Sequence, residues 1–154
     1  MKVIVAVVGR ARHPAVGPAV RDYEERAARY WPMHVREVRE EPARGAGPDQ
    51  VRDKEGVRLL ACAPVGAHVV ACDPGGRDMT SEAFSAWLQQ ERERGVDLCF
   101  MIGGAHGLSD AIRSVARTRL SLAPWTLPHE MARLVLAEQL YRAGTIIRHE
   151  PYHK

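Results

Sequence analysis

Two rhythms organise the apolar residues of this chain. Short continuous runs alternate with stretches where apolar side chains recur every three or four positions, the marks of buried strands and amphipathic helices. Residues 2–9 (KVIVAVVG) are apolar and mostly β-branched, which predicts a strand covered on both faces. Pro18 opens a helical stretch to about Tyr30, proline being suited to a first helical turn. Residues 34–40 read as a second strand whose charges mark a half-exposed edge, and the Gly- and Pro-rich residues 41–48 as a mobile loop. A helix over 49–63 precedes a third strand over 67–73, closed by the turn Pro74-Gly75-Gly76. Thr80 suits a helix N-cap, with Phe84, Trp87 and Leu88 forming the apolar stripe of a helix to about Arg94. Residues 97–102 (DLCFMI) are a fourth buried strand, running into a glycine-rich turn before Ser109, a second N-cap. Residues 119–122 form a short fifth strand, and a last helix begins near His129. Strands and helices in alternation predict an α/β fold, a mainly parallel sheet with helices on both faces.

Composition narrows the class. Hydrophobic residues at 45% and charged residues at 27% fit a soluble globule, and 154 residues fit one domain spanning 1–154. The run Val3–Val8 is too short to span a bilayer and no small-residue cleavage site follows, so no transmembrane helix, signal peptide or membrane partner is expected. Cys62, Cys72 and Cys99 form no CxxC pair and leave an odd count. A disulfide framework and a structural metal are both poor readings, and a reducing cytoplasm is the natural one. The net charge of +3 is compatible with an anionic partner without pointing to one. Arginine outnumbers lysine 19 to 3, and its planar fork suits phosphate and base contacts.

In open parallel sheets ligands bind beyond the carboxyl ends of the strands. Three segments fit: Cys72-Asp73 after the third strand, Gly103-Gly104-Ala105-His106-Gly107 after the fourth, and residues 121–129 after the fifth. Glycine lets backbone approach a ligand, although a purely structural tight turn explains the second segment equally well. The third is apolar and bracketed by Pro124 and Pro128; it makes a slot for a flat heterocycle, or covers the end of the core. His149 and His153 have a spacing that would serve a helical metal site, but Pro151 lies between them. Cys72 and Cys99, in apolar strands, are expected to be inert. A nicotinamide enzyme is disfavoured, since no GxGxxG follows the first strand.

Six ordered blocks carry a resemblance: the start MKxxxxxVG, Asp53-Lys54-Glu55-Gly56, Ile102-Gly103-Gly104 with Gly107-Leu108, Leu120-Ser121-Leu122 with Thr126-Leu127-Pro128-His129, Glu138-Gln139-Leu140-Tyr141-Arg142-Ala143, and Pro151-Tyr152-His153-Lys154. Together they resemble the ribosomal RNA large subunit methyltransferase H family, small members of the SPOUT methyltransferases. The resemblance implies a homodimer with a C-terminal trefoil knot that binds S-adenosylmethionine. It implies methylation of ring nitrogen 3 of a pseudouridine in 23S rRNA within the assembled 70S ribosome. The cofactor pocket then falls on Cys72, Gly103, Gly104, Leu122, Ala123, Pro124, Trp125, Thr126 and Leu127. Tail composition and the family match together make His153 the candidate proton acceptor, with Arg142 stabilising developing charge and Tyr152 orienting the base. Arg10, Arg12 and His13 are candidate RNA contacts. Cys72, Ala105-His106, Pro124-Trp125 and Gly144 depart from the family pattern, and Cys72 with Pro124-Trp125 keeps open a non-catalytic ribosome-binding factor with a degenerate fold.

Overall fold

The computed structural model describes residues 1–153, so the Lys154 of the last resemblance block lies outside the described residues. Strands β1 (Val3–Val8), β2 (Met33–Val38), β3 (His68–Arg77), β4 (Leu98–Ile102) and β5 (Thr118–Leu120) form one parallel sheet in the order β2-β1-β4-β3-β5. Helices α1 (Val16–Ala27), α3 (Ser81–Glu93) and α5 (His129–Ile147) cover one face; α2 (Pro48–Leu60) and α4 (Asp110–Val115) cover the other.

The period-two geometry of a strand explains why β1 is apolar at every position. Val3, Val5 and Val7 enter the core shared with Trp31, Leu136 and Leu140, while Ile4, Ala6 and Val8 enter the one holding Leu59 and Ile112. Trp31 is fully buried, and its indole N–H donates to the Leu140 carbonyl at 2.9 Å, so its polar atom is satisfied. The charged strand β2 lies at an edge, as its composition predicts. Thr80 caps α3 by accepting the Ala83 N–H at 3.1 Å, and Ser109 caps α4 by accepting that of Ile112 at 3.4 Å. Each cap stabilises its helix by about 1 kcal/mol.

Helix α1 starts two residues before Pro18 and ends at Ala27, and α2 ends at Leu60, short of the expected 63; two other boundary differences bear on the site. The triplet Pro74-Gly75-Gly76 does not close β3 as a turn, because the strand continues to Arg77 through an irregularity. Both Cys72 and Arg77 register with Leu120, and Gly76 lies so close that a side-chain carbon there would stand 2.6 Å from the Arg119 carbonyl carbon. The fifth strand ends at Leu120, so Ser121 and Leu122 belong to the connection that follows. That connection carries the chain from edge strand β5 past the carboxyl ends of β3 and β4 to α5, which packs against α1 and α3.

Candidate functional site

Midway along β3, where its irregularity begins, Asp73 is 8% exposed and accepts from Arg113 Nε at 2.6 Å, the Gly75 N–H at 2.9 Å and Arg119 at 3.4 Å. Burial pushes its carboxyl up, but these bonds and the two guanidinium charges outweigh that and hold it below the usual carboxylate range. The tie locks the start of the site to α4 and β5.

Beyond β4 the chain reverses through a tight turn in which the Gly107 N–H donates to the Gly104 carbonyl at 3.0 Å. The turn itself accounts for its glycines. A side-chain carbon on Gly103 would stand 2.5 Å from the Gly107 carbonyl carbon, and one on Gly104 would stand 2.9 Å from Glu55 Oε2. Gly107 has φ +79°, a conformation that favours glycine. The turn still presents its backbone to a neighbouring cavity.

That cavity measures about 450 Å³ and is walled by the ends of β3 and β4 and by the connection after β5. Of the expected cofactor residues, Cys72, Gly103, Gly104, Leu122, Ala123, Trp125, Thr126 and Leu127 line it; Pro124 does not. His129, the last residue of the 121–129 segment, lines it too; Arg113 and Ala132 also do, and no sequence signal singled those two out for this wall. Trp125 is 78% exposed, so it does not seal the core end but stands at the cavity mouth. Burial pushes the Cys72 thiol up to about 12, which keeps it neutral, an apolar wall rather than a nucleophile. Volume and lining suit a ligand with a flat heterocycle and polar edges. Among the described residues no group of three His, Cys, Asp or Glu is arranged to hold a metal ion, and no helix is long and apolar enough to cross a membrane.

Arg142, Tyr152 and His153 are elsewhere. Arg142 lies thirteen residues beyond His129 on α5, about 20 Å along its axis. It donates to Glu138 Oε1 at 2.9 and 2.6 Å, and its guanidinium sits 4.8 Å from the centre of the Tyr152 ring. The Tyr152 hydroxyl donates to Glu138 at 3.1 Å and lies 3.3 Å from the Tyr23 hydroxyl. Burial, with these two bonds, raises its pKa, so at neutral pH the phenol is a donor and not a base. His153 Nε2 meets Glu82 Oε1 at 2.8 Å, while its Nδ1 is buried without a partner. A second cavity of about 300 Å³, lined by Thr80, Ser81 and Gln139 among others, adjoins the first at Leu122. Within one chain, therefore, the tail does not meet the larger cavity.

The loop after β1 is pinned to α5, since Glu130 accepts the backbone N–H groups of Arg12 and His13. His13 Nδ1 accepts from the N–H groups of Ala15 and Val16 at 3.2 and 3.3 Å, which gives its ring a capping role at α1. Arg10 pairs with Glu37 at 3.7 Å, and both Arg10 and Arg12 are exposed.

Comparison with known proteins places relatives beside this geometry. Residues 1–153 match the family model described as "Predicted SPOUT methyltransferase". The chain is 60% identical over 154 residues to the ribosomal RNA large subunit methyltransferase H of Gemmatimonas aurantiaca, covering 100% of both. It is 41% identical to the protein of that name from Syntrophotalea carbinolica, covering 99% of each, and 44% identical to that of Anaeromyxobacter sp. strain K, covering 100% of each. Among solved structures, TrmJ from Z. mobilis ZM4 superposes with a TM-score of 0.52 at 17% identity, over 93% of this chain and 70% of that one, a likeness of fold alone.

Proposed function

The chain belongs to the SPOUT methyltransferase family, in its ribosomal RNA large subunit methyltransferase H branch, and we propose that it methylates ring nitrogen 3 of a pseudouridine in 23S rRNA of the assembled 70S ribosome, using S-adenosylmethionine. The observation that carries this reading is the cavity at the carboxyl ends of β3 and β4, whose walls are the loops that the sheet argument and the family resemblance select independently. A ribosomal target makes the enzyme cytoplasmic. Family membership implies the trefoil knot.

The residues present fit the cofactor. Backbone of residues 122–127 would read the edge of a heterocycle, the glycine turn would bring main chain against the rest of the ligand, and Leu122, Leu127 and the neutral Cys72 would supply apolar walls. When bound, S-adenosylmethionine supplies an electrophilic methyl group on a good leaving group. The protein's part is alignment and removal of the proton on ring nitrogen 3. His153, oriented by Glu82 at Nε2, is the group that accepts this proton. Tyr152, its hydroxyl held by Glu138, orients the base by stacking. Arg142, held by the same carboxylate, stabilises negative charge on the deprotonated ring.

The position of Arg142 on α5, ten residues and about 15 Å beyond the last cavity-lining residue Ala132, supports a homodimer in which one protomer's tail serves its partner's cofactor. Two chains then present one basic face to the RNA, with Arg10 and Arg12 exposed at the loop after β1, and binding weakens as salt rises. The test is calorimetric titration with S-adenosylmethionine, followed by mixed dimers of a Tyr152→Phe/His153→Ala chain with a Trp125→Ala chain. Binding by the wild type and activity regained in mixed dimers are expected. Absence of binding would favour the non-catalytic factor. No regained activity would rule out the shared site, and wild-type single-turnover rates in both His153→Ala and Tyr152→Phe would remove the roles given to the tail.

A further inference from the structure

The block Asp53-Lys54-Glu55-Gly56 on α2 has no part in the chemistry above. Gly56 brings α2 close to the cap of α4, since a side-chain carbon there would stand 3.1 Å from Ser109 Cβ. The approach places Glu55 behind the glycine turn. Glu55 is 4% exposed; its Oε1 accepts the Glu41 N–H at 3.0 Å, and its Oε2 is buried with no hydrogen-bond partner among the described residues. Oε2 points at Gly104, within 2.9 Å of where a side-chain carbon would be, and the backbone of Gly104 is part of the cavity wall. One thickness of main chain separates the carboxylate from the cavity. The neighbouring cations are engaged elsewhere: Lys54 and Arg58 pair with Glu41, and Arg113 and Arg119 with Asp73.

A buried carboxylate with an unbonded oxygen and no cation is costly, and it favours any ligand that brings positive charge close to it. We propose that Glu55 is a positioning residue whose charge, set behind Gly104, makes the cavity prefer a sulfonium ligand over the neutral thioether left after transfer. This rests on the cofactor reading above. In the transfer the S–CH3 bond breaks and its electron pair stays on sulfur, while ring nitrogen 3, its proton already gone to His153, gains the methyl. Glu55 then faces one positive charge fewer, so the product is held less firmly than the substrate was.

The experiment is calorimetric titration of the full-length protein and its Glu55→Gln variant with S-adenosylmethionine and with S-adenosylhomocysteine. Glutamine keeps an oxygen for the Glu41 N–H, removes the charge and puts an amide NH2 in place of Oε2. The ratio of the two affinities should shift by about tenfold toward the thioether in Glu55→Gln, mainly through weaker sulfonium binding. A purely structural Glu55 would move both affinities together, so an unchanged ratio overturns the proposal and leaves the cofactor reading standing. A wild type that binds neither ligand overturns both. Should Glu55→Gln fail to fold, the carbon-13 resonance of the Glu55 carboxyl in the wild type decides. It should respond more to the sulfonium than to the thioether; equal responses overturn the proposal.

Discussion

Gly144 lies in the interior of α5, where alanine would ordinarily stabilise a helix by about 1 kcal/mol. Here the sign should reverse. A methyl at 144 would stand 2.6 Å from Tyr30 Cδ1 and 2.7 Å from its Cβ, well inside ordinary contact at 3.4 Å, with Cγ nearer still. Tyr30 must move to admit it, which costs roughly 1–3 kcal/mol of overpacking. The movement also disturbs the hydroxyl's bond to Glu150 and the Arg148 cation 4.7 Å from the ring centre, together about 2 kcal/mol. Set against the helix gain, Gly144→Ala should destabilise the protein by about 2–4 kcal/mol. Urea denaturation of Gly144→Ala in the wild type and in Tyr30→Ala measures the coupling. In the Tyr30→Ala background the ring is gone and the same change should stabilise by roughly 0.5–1 kcal/mol. Equal effects in both backgrounds, or stabilisation of the wild type, would refute the argument. Arg148 and Glu150 lead into the tail, so Gly144→Ala should also slow single-turnover methyl transfer while leaving the affinity for S-adenosylmethionine unchanged.

Three further outcomes are expected. Arg133, 5% exposed, joins Glu24 at 2.6 and 3.1 Å to Glu37 at 2.8 Å; Arg133→Met should cost about 3 kcal/mol in urea denaturation, part of it recovered by adding Glu24→Gln. Asp73 has a folded pKa below its unfolded value, so its contribution is fully present above about pH 4 and is lost as pH falls through the lower folded value. Acid titration of Asp73→Asn, followed by circular dichroism, should therefore show a shallower loss of stability below pH 4 than the wild type. Cys72, its thiol raised to about 12 by burial, should resist iodoacetamide at pH 8, as peptide mass spectrometry would detect.

The sheet was readable because β1 and β4 are buried on both faces and therefore apolar at every position, a pattern that needs no partner to be seen. The caps at Thr80 and Ser109 were readable for a similar reason, being local chemistry three residues deep. The end of β5 was not, since Ser121 and Leu122 continue the strand's composition while their surroundings are those of a cavity wall. Nor was the persistence of β3 through Pro74-Gly75-Gly76, which depends on how closely the backbone of Arg119 approaches. The glycine turn was found, yet the room its glycines free is taken by Gly107 and Glu55 rather than by a ligand, a fact only the fold discloses. Arg133 offers the plainest case: a charged residue in a helix reads as solvent-facing, and its partners lie 109 and 96 residues away in sequence.

The most direct measurement is transfer of a labelled methyl group to 70S ribosomes from a strain lacking the endogenous enzyme, with free 23S rRNA and separate 50S subunits alongside. Label recovered as 3-methylpseudouridine from the 70S particles, and absent from the other two, is the predicted result. Label on a different nucleoside would discard the target and keep the chemistry. No label in any of the three, from protein that also fails to bind S-adenosylmethionine, would contradict a methyltransferase altogether.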